Sequence, residues 1–287
     1  MPHARPTSPS PPARPAQALL LVAAAALAAT CGPAPPGPPQ PAASTAPTGP
    51  RLVVLVVVDQ LPSWSFAPVL ARSRDGFARL RDHGVYYPEA EVPYATTYTS
   101  SGHAALGTGA PPALTGVLDN GWYRPEQGTV RSATHDPDSP VFQLAPVEPG
   151  RHGGHGRSGT ALRVDGLAEM LARARGGRAR SVSISLKDRA AAFVAGRHPD
   201  LAVWYDDDQA AMTTSRFYAP TLPPWLRALH EQGLVASRLD WVWTPLPELD
   251  HLALTGGPDV APGESTGDLL GPGFPHDLAR SPAPATA

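Results

Sequence analysis

Asp59 stands at the end of an unbroken aliphatic run, Leu52 to Val58 (LVVLVVV). A carboxylate at the end of a buried strand is costly unless it is solvated, paired or bound to a metal. Capping the helix that follows is its other use. Forty residues on, Thr97-Tyr98-Thr99-Ser100-Ser101-Gly102-His103-Ala104 sets hydroxyls just ahead of a helix start. That places side-chain oxygens beside free backbone N–H groups and the positive end of a helix dipole. Such a turn can cradle a phosphate, or its hydroxyls can simply cap the helix.

Lys187 and Arg189 are the second informative pair. Along an extended strand end, residues two apart point to one side, so both cations can converge on one anion. Arginine offers a planar fork to two oxygens and lysine a point charge. Lys187 is the only lysine of the chain, whose other permanent cations are all arginine. A position needing only solvated charge would carry arginine like the rest.

The elements that must hold these residues alternate. Leu52 to Val58 is short, continuous and rich in valine, the pattern of a strand buried on both faces. Phe66 to Asp82 spaces Leu70, Phe77 and Leu80 as an amphipathic helix closed by Gly84. Gly102 to Gly107 opens another helix. Leu162 to Arg175 is a helix stopped by Gly176-Gly177. Arg180 to Leu186 and Ala202 to Tyr205 are strands, and Pro224 to Gln232 is a helix with proline in its first turn. Strand and helix in alternation predict an α/β fold, a mostly parallel sheet flanked by helices. In such sheets ligands bind beyond the carboxyl ends of the strands, where Asp59 and Lys187 stand. From about Thr255 the chain turns to Gly, Pro and Ala and predicts no further element.

Ahead of this domain lies an export-like segment, residues 1–31. His3, Arg5 and Arg14 make a positive start, and Ala18 to Thr30 is an apolar run too short to span a bilayer, which takes about 20 residues. Cys31 follows it and is the only cysteine, so no intrachain disulfide forms. The junction resembles a bacterial lipobox, with Thr30 departing from the usual small residue. Lipidation at Cys31 is the expectation, and ordinary cleavage nearby is the alternative. Either route exports the protein, to the periplasm or a membrane anchor. Residues 32–50 hold eight prolines and no charge, a polyproline-like tether reaching about 60 Å. The folded domain takes up residues 51–287. Net charge is −2 without a basic block, which argues against a nucleic-acid partner.

Val-Val-Val-Asp59, then Thr-Tyr-Thr99-x-x-Gly-His-Ala, then Asp119-Asn120-Gly121-Trp122-Tyr123 together resemble the start of an alkaline phosphatase superfamily domain. The likeness is greatest to the phosphate-irrepressible bacterial branch with a threonine nucleophile, related to type I phosphodiesterases and nucleotide pyrophosphatases. It continues through Ser185-Leu186-Lys187-Asp188-Arg189, Trp204-Tyr205-Asp206, Phe217-Tyr218 and Trp243-Thr244-Pro245. The resemblance implies that Asp59 and Thr99 share one of two zinc ions and that Thr99 attacks phosphorus. It implies that Asn120 donates its amide to a phosphoryl oxygen, although Asp-Asn-Gly is also a strong turn signal. It implies that Lys187 and Arg189 hold the dianionic group of a small monoester. The implied activity is a zinc-dependent phosphomonoesterase, with a diesterase as the alternative.

A two-zinc site needs further His and Asp ligands. The resembled enzymes take theirs, an Asp-x-x-x-His, an Asp-His pair and a late His, from sequence beyond the counterpart of Leu278. The expectation is therefore an N-terminal portion of a longer enzyme, with a sheet incomplete at the C-terminus; a non-catalytic exported lipoprotein that keeps the phosphate cradle is the other reading. His152 and His155 read as loop histidines, Asp206-Asp207-Asp208 as a solvated acidic run, and His103 as packing behind the nucleophile turn. Trp204, Trp225, Trp241 and Trp243 read as core or rim, and His276 has no assigned role. Oligomeric state is not legible in the sequence.

Overall fold

The computed structural model describes residues 50–144, 155–245, 260 and 271–280. The export-like segment with Cys31, the tether apart from Pro50, and His152 lie outside the described residues. The chain divides into two compact units, Met1–Val57 and Val58–Ala287.

No strand forms over Leu52–Val58, contrary to the expectation from its composition. Leu52 through Val56 and Val58 are exposed, and no ladder partner for the run occurs among the described residues. Valine supplies the preference for extended backbone, but only pairing and burial make a strand.

The second unit opens with α1 (Ser63–Arg72) and α2 (Gly76–His83), where the periodicity predicts one helix. Ser73 turns extended at the break, its hydroxyl bonds back to the Val69 carbonyl at 2.8 Å, and Gly76 restarts the helix. The faces of Phe66 and Phe77 still meet, 5.3 Å between ring centres. Next come α3 (Thr99–Thr108), closed by left-handed Gly109, and the single turn α4 (Pro112–Thr115). A hairpin follows, β1 (Gly121–Arg124) against β2 (Thr129–Ser132).

Helix α5 (Leu167–Ala174) begins later than its apolar pattern, because Glu169 reaches back to the Gly166 N–H at 2.7 Å and fixes the start there. β3 (Val182–Ser185), α6 (Asp188–Val194) and β4 (Leu201–Asp206) form a strand–helix–strand unit with the strands parallel, Val182 opposite Leu201 and Ser185 opposite Trp204. β5 (Ala211–Thr213) adds an antiparallel edge to β4. Helix α7 (Pro224–Glu231) then seals the far side with fully buried Leu226.

β4 is the centre of this sheet, with Ala202, Val203 and Trp204 buried on both faces. The core joins Phe193 and its alanines on α6 to Ala104 on α3, Val117, Leu162, Trp204 and Tyr218. Helices α3 and α6 touch backbone to backbone at Gly107, where a Cβ would lie 2.5 Å from the carbonyl oxygens of both Phe193 and Val194. That contact joins the C-terminal ends of α3 and α6. Beyond Thr255, where no further element is expected, β7 (His276–Asp277) pairs with β6 (Val242–Trp243) around the rings of Trp243, Phe274 and His276. Two-residue strands leave no periodicity to read.

Candidate functional site

Thr99 is the first residue of α3 and is buried. Its hydroxyl donates to Asp59 Oδ2 at 2.9 Å, joining segments forty residues apart. Both ends of that bond are braced. Gln60, next to Asp59, sits in the left-handed region at φ 59°, so the chain turns sharply as soon as the carboxylate is placed. On the other side the Ser101 hydroxyl holds the Thr96 carbonyl at 2.6 Å, and the buried His103 ring donates Nδ1–H to the Thr99 carbonyl at 2.8 Å. His103 thus stands behind the turn and orients it.

The Lys187 ammonium approaches the same carboxylate oxygen, 3.9 Å from Asp59 Oδ2. Lys187 is still extended and precedes the first turn of α6, whereas Arg189 lies within that turn. The alternation expected of a strand end therefore stops at Lys187, because the helix begins at Asp188. Arg189 nevertheless lines the same cleft as Lys187, a space of about 260 Å³ bounded also by Arg157, Trp204, Tyr205 and Asp206.

Asn120 sits at the mouth of the β1–β2 hairpin. Its Oδ1 accepts from the Ser100 backbone N–H at 2.9 Å and from the Ser100 hydroxyl at 3.1 Å. With that oxygen committed to the start of α3, the Nδ2 end is the one left to donate. The Asn120 carbonyl accepts from Ala133 N–H, which extends the ladder by one bond at the open end of the hairpin.

Of the sequence candidates, Asp59, Thr99 and Lys187 meet at one oxygen, Asn120 touches the neighbouring residue, and Arg189 shares the cleft with Lys187. The acidic run departs from expectation. Asp206 ends β4 half-buried, its Oδ1 accepting from the N–H groups of Asp208 and Gln209, and all three acids line the cleft. Burial raises the Asp206 carboxyl above the ordinary range. Burial also raises the hydroxyl of Tyr205, with Asp207 and Asp206 adding to the effect. His135 is lowered by burial, with the charges of Arg131 and Arg157 adding to the effect. Only Trp204 of the four tryptophans is core; Trp225, Trp241 and Trp243 are about half exposed. Among the described residues no three His, Cys, Asp or Glu side chains gather closely enough to hold a metal. No described helix is long and apolar enough to cross a membrane.

A family model described as type I phosphodiesterase / nucleotide pyrophosphatase matches residues 53–152. Alkaline phosphatase PafA of Elizabethkingia meningoseptica is 28% identical over 232 residues, which cover 80% of this chain and 42% of the relative. Alkaline phosphatase PhoV of Synechococcus elongatus is 31% identical over 199 residues, 68% of this chain and 35% of the relative. The crystal structure of wild-type PafA aligns with a TM-score of 0.68 at 27% identity, covering 78% of this chain and 42% of that one. The chain belongs to the alkaline phosphatase superfamily. It spans less than half the length of these relatives.

Within this alkaline-phosphatase-like fold, the residue between Lys187 and Arg189 has partners that the sequence does not reveal. Asp188, between them, accepts from Arg157 Nε at 2.8 Å and from the Thr134 hydroxyl, mostly out of solvent. An acid flanked by two cations was the available signal. Its partners, Thr134 and Arg157, lie 54 and 31 positions away, and no local pattern connects them.

Proposed function

We propose that the chain carries the nucleophile and phosphate-binding parts of a zinc-dependent phosphate monoester hydrolase that works through a phosphothreonine at Thr99. One observation carries the reading: Asp59 Oδ2 lies 2.9 Å from the Thr99 hydroxyl and 3.9 Å from the Lys187 ammonium. A hydroxyl, a carboxylate and a cation at one point suit attack on a dianion.

In this mechanism Thr99 Oγ1 attacks phosphorus and loses its proton by way of Asp59 to solvent, while the ester oxygen leaves and takes a proton from solvent. Asp59 accepts the hydroxyl hydrogen bond and so directs a lone pair outward. Lys187 and Arg189 neutralise phosphoryl oxygens, and the Asn120 amide donates to another. Water then attacks the phosphothreonine and restores the hydroxyl. Asp59 Oδ2 and Thr99 Oγ1 are hard oxygen donors close enough to share one cation, and they would hold a zinc ion. Bound there, zinc supplies Lewis-acid activation of a hydroxyl that is otherwise a weak nucleophile. The second zinc of the reading finds no cluster of three such side chains among the described residues.

The family model named for phosphodiesterases favours a second reading, a diesterase on the same nucleophile. Lys187 separates the two, because an ammonium contact beside the Arg189 guanidinium matters more to a dianion than to a monoanion. Rates on p-nitrophenyl phosphate and its bis-ester, with zinc, before and after Lys187→Ala, decide. The monoesterase reading expects the variant to lose about tenfold or more on the monoester and much less on the bis-ester. Equal losses would remove it. Export and lipidation at Cys31 belong to the same reading; a mature N-terminus elsewhere than Cys31 would remove the anchor.

A further inference from the structure

We propose that Arg157 is a positioning residue for the anion site: it occupies the Asp188 carboxylate and thereby keeps the Arg189 guanidinium available to a phosphoryl oxygen. The inference rests on the phosphate-binding reading of Lys187 and Arg189.

Asp188 stands between the two cations in sequence, and its two oxygens are used unequally. Oδ2 takes both Arg157 Nε, at 2.8 Å, and the Thr134 hydroxyl. Oδ1 lies 3.8 Å from Arg189 Nη1, a charge contact too long for a hydrogen bond. Arg189 Nε, meanwhile, is buried without an acceptor. An aspartate next to an arginine in a partly dry site would ordinarily draw it into a close pair. Here the nearer and better-bonded partner is Arg157.

Arg157 is delivered by backbone that has little freedom. Its N–H bonds the Ser139 carbonyl at 3.0 Å, and its own carbonyl accepts the Ser215 hydroxyl at 2.6 Å. It also forms an isolated antiparallel bridge with His135. The residue before it must be glycine, because a Cβ on Gly156 would fall 1.8 Å from the Asp136 carbonyl oxygen. The side chains of Arg157 and Asp188 are 18% and 15% exposed, so their attraction is weakly screened. Without that partner, the Asp188 charge would face the cleft shared by Lys187 and Arg189, where it would repel a phosphate dianion and capture Arg189.

Binding of inorganic phosphate to the full chain tests this by calorimetry, comparing wild type, Arg157→Gln, Arg157→Lys, and Arg157→Gln with Asp188→Asn. Arg157→Gln should weaken phosphate binding about tenfold or more, and Arg157→Lys by less. The double variant should recover to within about threefold of wild type, since no carboxylate is left to restrain. If Arg157→Gln does not fold, the double variant carries the test alone, because removing both partners of a buried pair is milder than removing one. A folded double variant as weak as Arg157→Gln, or weaker than wild type by about tenfold, would mean that Arg157 contacts phosphate itself, and would overturn the inference. Unchanged binding in Arg157→Gln would also overturn it, with the anion site intact if Lys187→Ala still loses phosphate. A wild-type chain that binds no phosphate overturns both the site and this inference.

Discussion

The hydroxyl of Thr99 and the carboxylate of Asp59 are joined by a 2.9 Å hydrogen bond that spans forty residues of chain. Neither residue could hold the other alone. Thr99 is fixed by its place at the start of α3, and Asp59 by the left-handed turn at Gln60. The bond leaves the hydroxyl oxygen with lone pairs free and its proton already directed to a base. It also brings the Lys187 ammonium to the same oxygen.

Asp59→Asn keeps the shape of that contact while removing the charge that a cation needs. Zinc retained after dialysis should fall by about tenfold or more, as read by elemental analysis, while the melting temperature stays within a few degrees. Undiminished zinc in the variant would take Asp59 out of the metal site.

Asn120→Asp preserves an acceptor for the two Ser100 donors but replaces the donating amide with an anion. The variant should fold normally and bind inorganic phosphate about tenfold or more weakly, by calorimetry. Equal affinity in the two proteins would reduce Asn120 to a residue that only bonds Ser100 and Ala133.

At Gly107 the backbones of α3 and α6 meet, and a methyl there would lie 2.5 Å from two carbonyl oxygens. Gly107→Ala should cost about 1–3 kcal/mol in a urea melt, because the obstacle is backbone and cannot rotate away. The same shift would misplace Thr99 relative to Lys187, so activity should fall with stability. A silent substitution would mean that the two helices are not held in this register.

Asp206 binds a proton more readily in the folded chain than in the unfolded one, mainly because of its burial. Between the ordinary carboxylate range near pH 4 and its raised folded value, the folded state holds more protons. Its contribution to stability is therefore complete below that window and is lost as pH rises through it. Asp206→Asn should flatten this part of the melting-temperature profile, just above the ordinary carboxylate range. A variant profile parallel to wild type would contradict the assignment.

Legibility in the sequence followed the range of the interaction. Helix α7, the strand pair β3 and β4, and the start of α3 near Thr99 depend on local pattern and turn chemistry, and they were readable. Leu52–Val58 was misread because composition records preference for extended backbone and says nothing of a partner. The strand-end argument for Arg189 failed at the one-residue boundary where α6 begins, although both cations still reach one cleft. Arg157 and Thr134 were invisible because their meaning lies in a bond to Asp188 that no spacing encodes. The acidic run around Asp206 reads as solvated in the sequence, because the burial of its side chain is created by the fold.

The most direct test is to quench the full chain, supplied with zinc and p-nitrophenyl phosphate, in acid during turnover and to map the phosphoryl group by mass spectrometry. The account predicts one added phosphoryl group on the peptide that holds Thr99, absent from Thr99→Ala, whose turnover falls by about a thousandfold or more. Turnover that persists in Thr99→Ala, or a phosphoryl group found on another residue, would contradict it.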